Sequence, residues 1–199
     1  MKKIISMFMI LVLIVMAFPI TEVHAKNSKK VYKAYYSWIK KKAPKGYNSF
    51  KLIKLDNNKT PELLAVKHED MCDEYILCTY KSGKVTGNNF ISGMAGGSWY
   101  AWSTSYIPKS GKLFYGEYIR SNGEETNTIY KLKNGKLKKK YIGYISPELR
   151  GYKWNKKSVS KNTYDKKLNK IYKREKAKDF SQLKYISKKK MLKKIKKKM

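Results

Sequence analysis

Arginine, histidine and cysteine are all scarce in this chain, and each scarcity removes a class of chemistry. Arg120, Arg150 and Arg174 are the only arginines among 46 basic residues. Arginine supplies the flat two-pronged donor that reads phosphates and base edges, whereas lysine is a hydrated point charge. Sequence-specific nucleic-acid recognition is therefore not expected. His24 and His68 are the only histidines, and Cys72 and Cys78 the only cysteines. The spacing from His68 to Cys72 and Cys78 fits no tetrahedral zinc pattern, and nothing suggests an orienting partner for a Cys-His nucleophile. The chain also lacks a Gly-x-Ser-x-Gly elbow and a phosphate-cradling loop ending in Gly-Lys-Ser/Thr. No catalytic residue, metal or cofactor is assigned from the sequence, and the protein is read as non-enzymatic.

Acidic residues are few as well, 14 against the 46 basic ones, which leaves a net charge of +32. A surface of that sign attracts anionic polymers and lipid head groups without any shaped site. A genome rich in A and T would also favour Lys, Asn, Ile and Tyr codons. At the amino end, Met1–Lys3 are followed by a nearly unbroken apolar run from Ile4 to Ile20, then Val23-His24-Ala25. This is the pattern of an export leader cleaved near Ala25. The run is close to the roughly 17-residue lower limit for a membrane span, so a retained anchor is the competing reading. Loss of Lys2, Lys3 and Glu22 with the leader lowers the net charge by only one. The expected organisation is a leader over 1–25, one domain over 26–178 and a lysine-rich helix or tail over 179–199. The expected location is secreted or bound to the cell surface, with an anionic wall polymer or membrane surface as partner.

Hydropathy patterning predicts an α+β fold, with an N-terminal helix, an antiparallel β-meander of about six to eight short strands, and C-terminal helices. Val31, Tyr35, Trp38 and Ile39 recur at helical spacing after Ser28, which suits an N-cap, and Pro44 with Gly46 closes the pattern. Apolar runs over 50–55, 63–66, 75–80, 106–107, 113–119, 128–132 and 137–145 read as strands. Glycines 83, 111, 123 and 135 fall in the turns between them, where tight hairpins need positive φ. Beyond Trp154, Ser160 caps a second helix, with Val159 placed to staple onto Tyr164. A break is expected near Ser187. After it, Lys188, Lys189, Lys190, Lys193, Lys194, Lys196, Lys197 and Lys198 alternate with Met191, Leu192 and Ile195. That segment is either a solvated tail or a helix that settles on anionic membrane, which gives a membrane-active or toxin-like protein as an alternative function.

Cys72 and Cys78 lie too far apart along one strand for a simple bridge, so either the chain folds back at 71–73 or both thiols stay free and partly buried; the second is favoured. Glu69, Asp70, Asp73 and Glu74 form the one acidic cluster. Paired carboxylates there would make a hydrolase the third possible function, although carboxylates crowded in a polar loop usually pair with lysines. The glycine-rich stretch from Gly93 to Trp102 brings Trp99, Tyr100 and Trp102 together, with Tyr106 beyond. These four residues are the candidate ligand surface. The structural alternative is that the rings close the core.

The segment from Phe50 to Leu64, with Asp56-Asn57-Asn58-Lys59-Thr60-Pro61-Glu62-Leu63, resembles the strand, Asp-x-Asp-x-Asp-Gly, Pro-Glu-Leu, strand unit of a small exported domain of gut Firmicutes. That unit is itself similar to the calcium loops of FG-GAP and EF-hand-like proteins. The order Thr79–Val85, Tyr106–Gly111, Trp154–Ser160 extends the likeness over most of the chain. The resemblance implies a fold and an exported setting, and carries no activity. Calcium would fall to Asp56, Asn58 and Thr60. Here Lys59 introduces a positive charge and the glycine of the sharp turn is missing, so the loop is expected to survive as a turn capped by Asp56.

Overall fold

The computed structural model describes residues 19–58, 60–95, 100–148 and 151–199. Its dominant feature is one antiparallel sheet. The strands are β1 (Ser49–Ile53), β2 (Glu62–His68), β3 (Cys72–Lys81), β4 (Lys84–Ala95), β5 (Tyr100–Ile107), β6 (Lys112–Ile119), β7 (Glu124–Lys133), β8 (Lys136–Ser146), β9 (Gly151–Trp154), β10 (Lys157–Val159), β11 (Lys178–Asp179) and β12 (Ile186–Ser187). Their order is β10-β9-β8-β7-β6-β5-β4-β3-β2-β1-β12, with β11 paired to β5. Among the described residues three α-helices accompany them, α1 (Pro19–Lys41), α2 (Lys161–Ile171) and α3 (Lys188–Lys196).

This corrects the expected α+β arrangement of six to eight short strands flanked by helices: twelve strands form a single sheet, and the helices only cover parts of it. The largest addition is β4, which the sequence hides because Gly87, Asn88, Asn89, Ser92 and Gly93 are poor strand formers. It forms all the same because it pairs with β3 over ten residues, from Lys81↔Lys84 to Cys72↔Gly93. The β9–β10 hairpin is the second addition. Its turn holds Asn155 and Lys156 at φ 49° and 69°, without any glycine. Ser28 is a further correction, since it lies inside α1 rather than capping it. The expected leader, residues 1–25, lies largely outside the described residues, and α1 runs through its expected end. No described helix is long and apolar enough to cross a membrane.

The sheet curls until β1–β3 face β5–β8. Ile53, Leu55, Leu64, Val66, Tyr75 and Leu77 meet Tyr106, Leu113 and Leu132 in an inner core. The opposite face of β1–β3 offers Phe50, Leu63, Ala65, Ile76 and Cys78, and α1 covers it with Val31, Tyr35, Trp38 and Ile39. From α3, Met191 and Ile195 complete that layer, 1% and 0% exposed. On the outer face of β6–β9, α2 lays Tyr164 and Leu168 against Phe114, Ile129 and Trp154. The Ser160 hydroxyl caps α2 by accepting from the Thr163 N–H at 3.2 Å, and Val159 packs into the same cluster.

Curling opens a seam between β4 and β5, which pair over only three residues, Gly93↔Trp102 to Ala95↔Tyr100. Side chains and a returning strand close it. The Thr104 N–H donates to Ser92 Oγ at 2.9 Å, and Thr104 Oγ1 donates to the Ile91 carbonyl at 2.8 Å. Farther along, β11 takes the vacated edge of β5, and Phe180 enters the inner core beside Tyr75 and Tyr106. The segment after 178 thus contributes to the same cores as the rest of the chain.

The turn between β7 and β8 is packed against the end of β3. At Gly135 φ is +67°, and an added Cβ would lie 2.3 Å from the Tyr80 carbonyl oxygen. At Gly83 φ is +83°, but nothing lies within 4 Å of that position. Gly83→Ala is expected to cost only the left-handed penalty of about 1–2 kcal/mol, and Gly135→Ala clearly more, in urea denaturation of the two variants. Equal losses would mean that the β3 contact does not constrain the turn.

Candidate functional site

The residues singled out in the sequence go to three places. Tyr100 and Trp102 sit two apart on β5, hence on one face, with their rings stacked 6.0 Å apart at 12°. Tyr100 is 47% exposed. Trp99 lies outside the described residues. Tyr106, although it shares their parity, is 5% exposed and packs on Phe180 in the inner core, so it is no part of this surface.

Beside the aromatic pair lies a shallow depression of about 330 Å³ lined by Glu69, Asp70, Asp73, Trp102 and Asp179 among others. The structure therefore joins two features that are thirty residues apart in sequence. The carboxylates are tied into pairs: Lys67 Nζ meets Glu69 at 2.5 Å and Glu74 at 3.7 Å, and Tyr47 donates to Glu74 at 3.0 Å. Asp73 receives the Tyr75 hydroxyl at 2.8 Å and lies 2.8 Å from His68 Nδ1. Cys72 and Cys78 are both free, the second buried, and burial pushes both thiols up from their ordinary value.

At Asp56, Asn58 and Thr60 the chain forms a turn. Asp56 Oδ1 accepts the Asn58 N–H at 2.9 Å and Oδ2 accepts the Asn58 side-chain amide at 2.5 Å. Asn58 thus turns its nitrogen, not its oxygen, to the carboxylate, and Thr60 Oγ1 lies 3.4 Å from Ser28 Oγ. Among the described residues, no three His, Cys, Asp or Glu side chains converge as metal ligands.

A second polar arrangement is one the sequence reading missed. A cleft of about 830 Å³ opens where α1, the β1–β2 loop, the end of β3 and the β7–β8 turn meet. Glu62, the first residue of β2, lines it and is 6% exposed. Its Oε2 accepts the Leu55 N–H at 2.9 Å. Burial, and then the nearby Asp56 charge, raise its carboxyl to about 7 against the lowering effect of that hydrogen bond. Tyr35 from α1 reaches the same region and donates to the Cys78 carbonyl at 3.2 Å. Burial and the Glu62 charge hold that phenol well above its usual range. Thr79 is 1% exposed, and its Oγ1 has no hydrogen-bond partner. The sequence did carry one signal: an acid, Glu62, directly abuts Leu63-Leu64-Ala65-Val66, a run too apolar to be covered on one face only.

No protein-family model, curated protein or solved structure matches this chain. What the coordinates define by themselves is a curled antiparallel sheet protein with a buried carboxylate at one end and a stacked aromatic pair at the other.

Glu62 also links stability to pH. Its folded value near 7 lies above its ordinary value of 4.5, so its protonated form favours the folded state, and that contribution is full below about 4.5 and is lost as pH rises through 7. Glu62→Gln keeps an acceptor for Leu55 and removes the titration. The stability of the wild type relative to this variant is expected to fall by up to about 3 kcal/mol between pH 4.5 and 7.5. A flat difference in urea midpoints across that range would mean that Glu62 is hydrated.

Proposed function

We propose that this is an exported, non-enzymatic cationic protein held at the anionic cell envelope, with Tyr100 and Trp102 as its specific contact surface. The observation that carries the reading is how α3 divides its residues. Met191 and Ile195 are embedded against α1 and β1, while Lys189, Lys190, Lys193, Lys194, Lys196, Lys197 and Lys198 face solvent. Lys188 is half-buried, and Lys198 lies 5.8 Å over the Tyr32 ring. A docked helix presents its lysines as a fixed array, so attraction to a polyanion costs little ordering of the backbone. The same division weighs against membrane insertion through this segment, since its two buried apolar side chains would have to leave the core.

Deleting 188–199 would strip the core as well as the charge, so substitution is the cleaner test. On isolated cell walls carrying anionic polymer, the protein is expected to bind at about 50 mM salt and to be released progressively toward about 500 mM, as the screening length shrinks below the spacing of surface charges. Changing Lys193, Lys194, Lys197 and Lys198 to Gln should move release to lower salt, at about 1 kcal/mol per lysine. Failure to bind at low salt would sink the envelope reading. If Trp102→Ala alone removes whatever binding survives high salt, the aromatic pair is the specific contact.

A further inference from the structure

The cleft above Glu62 contains two carboxylates and an unused hydroxyl in a protein where acids are rare. Neither Glu62 nor Asp56 takes part in an ion pair among the described residues. Among the described lining residues only Lys30 is a cation, and it is exposed. The rest of the described lining is mostly hydroxyl and amide: Tyr35, Asn57, Thr60, Thr79, Tyr80 and Ser82. Within that lining Thr79 is 1% exposed, and its Oγ1, itself buried, has no hydrogen-bond partner. An unsatisfied buried hydroxyl costs stability, on the order of 1–3 kcal/mol, unless something supplies its partner. The volume, about 830 Å³, falls in the range of small-molecule sites.

Three ligand chemistries fit poorly. A divalent cation would need more free oxygens than Asp56 offers once Asn58 holds both of its carboxylate oxygens. An anion would meet two carboxylates. An apolar molecule would find only Val31 and Leu132 as aliphatic walls. We propose that the cleft binds a small polyhydroxylated molecule carrying a primary ammonium group, an aminated polyol or amino sugar in chemical class. Glu62 and Asp56 face the ammonium, and Thr79 completes its hydrogen bonding with a ligand hydroxyl.

The test uses the purified full chain, labelled with 15N, and 1-amino-1-deoxysorbitol as probe. Sorbitol serves as its uncharged counterpart and gluconate as the anionic one. At pH 8 the aminated polyol is expected to shift the amide resonances of Glu62, Thr79 and Asp56–Asn58 with millimolar affinity. Sorbitol, and the aminated probe on Glu62→Gln, should bind on the order of tenfold more weakly, which is the loss of about 1.4 kcal/mol of charge pairing. Thr79→Val should weaken the aminated probe without removing its preference over sorbitol. Affinity should also fall toward pH 6 as Glu62 takes up a proton; Asp56 from the loop faces it, as do the phenols of Tyr35 from α1 and Tyr106 from β5, both raised by burial and so neutral across that interval. Equal binding of sorbitol, preferred binding of gluconate, unchanged affinity in Glu62→Gln, or shifts confined to other parts of the chain would each overturn the proposal. So would the absence of any shift at about 50 mM probe, a concentration that saturates even a weak millimolar site.

Discussion

Everything in this molecule follows from the need to cover β2 and β3 on both faces. Leu63 to Val66 are all 0% exposed, and Tyr75 to Thr79 are buried without a break, so neither strand has a wet side. A sheet can meet that demand only if something lies on each face. Here the sheet covers one face itself, by curling β5–β8 over the inner core, and α1 with α3 covers the other. Curling has consequences beyond the core. It parts β4 from β5 and calls for Thr104, Ser92 and the returning β11 to fill the seam. It also brings the β7–β8 turn against the end of β3, which leaves the cleft between that turn, the β1–β2 loop and α1.

Both candidate surfaces are by-products of this geometry. The stacked Tyr100 and Trp102 lie where β5 leaves β4, at the last pairs before the seam, while β6 continues beside them on the other side. Glu62 lies at the opposite limit of the fold, where β2 enters the layer that is covered twice. Its carboxyl is stabilised by a backbone amide and by nothing of opposite charge among the described residues. Its neighbour Ile53 is 2% exposed and its successor Leu63 is 0% exposed, so the acid cannot swing to solvent without opening the strand entry.

The turns and helix faces were legible from sequence because they depend on local chemistry. Glycines 83, 111, 123 and 135 all adopt positive φ, and Tyr164, Leu168, Tyr35 and Ile39 all point inward. What was not legible depends on partners distant in the chain. No local pattern favours a strand through Gly87-Asn88-Asn89, and β4 exists because β3 offers it a full ladder. β11 and β12 are two residues each and gain their form only from the edges of β5 and β1. The aromatic stretch was half legible. The four rings were singled out together, yet strand alternation alone cannot say where along a strand the core begins: Tyr100 lies 47% exposed and Tyr106, of the same parity, is buried.

Charge distribution ties the two surfaces together. A protein with a net charge of +32 creates a positive potential that favours ionised carboxylates wherever water carries that field. Of the acids around the β2–β3 turn, Glu69 and Glu74 meet Lys67, and Asp73 meets His68. Glu62 goes the other way: burial, and then the Asp56 charge, raise its carboxyl to about 7 against the lowering effect of its backbone hydrogen bonds. A group set by its immediate surroundings responds to what enters its cleft rather than to charges farther away. The cleft and the lysine array are therefore separable. Neutralising surface lysines changes attraction at long range, and altering Glu62 acts locally, at the cleft end of the sheet.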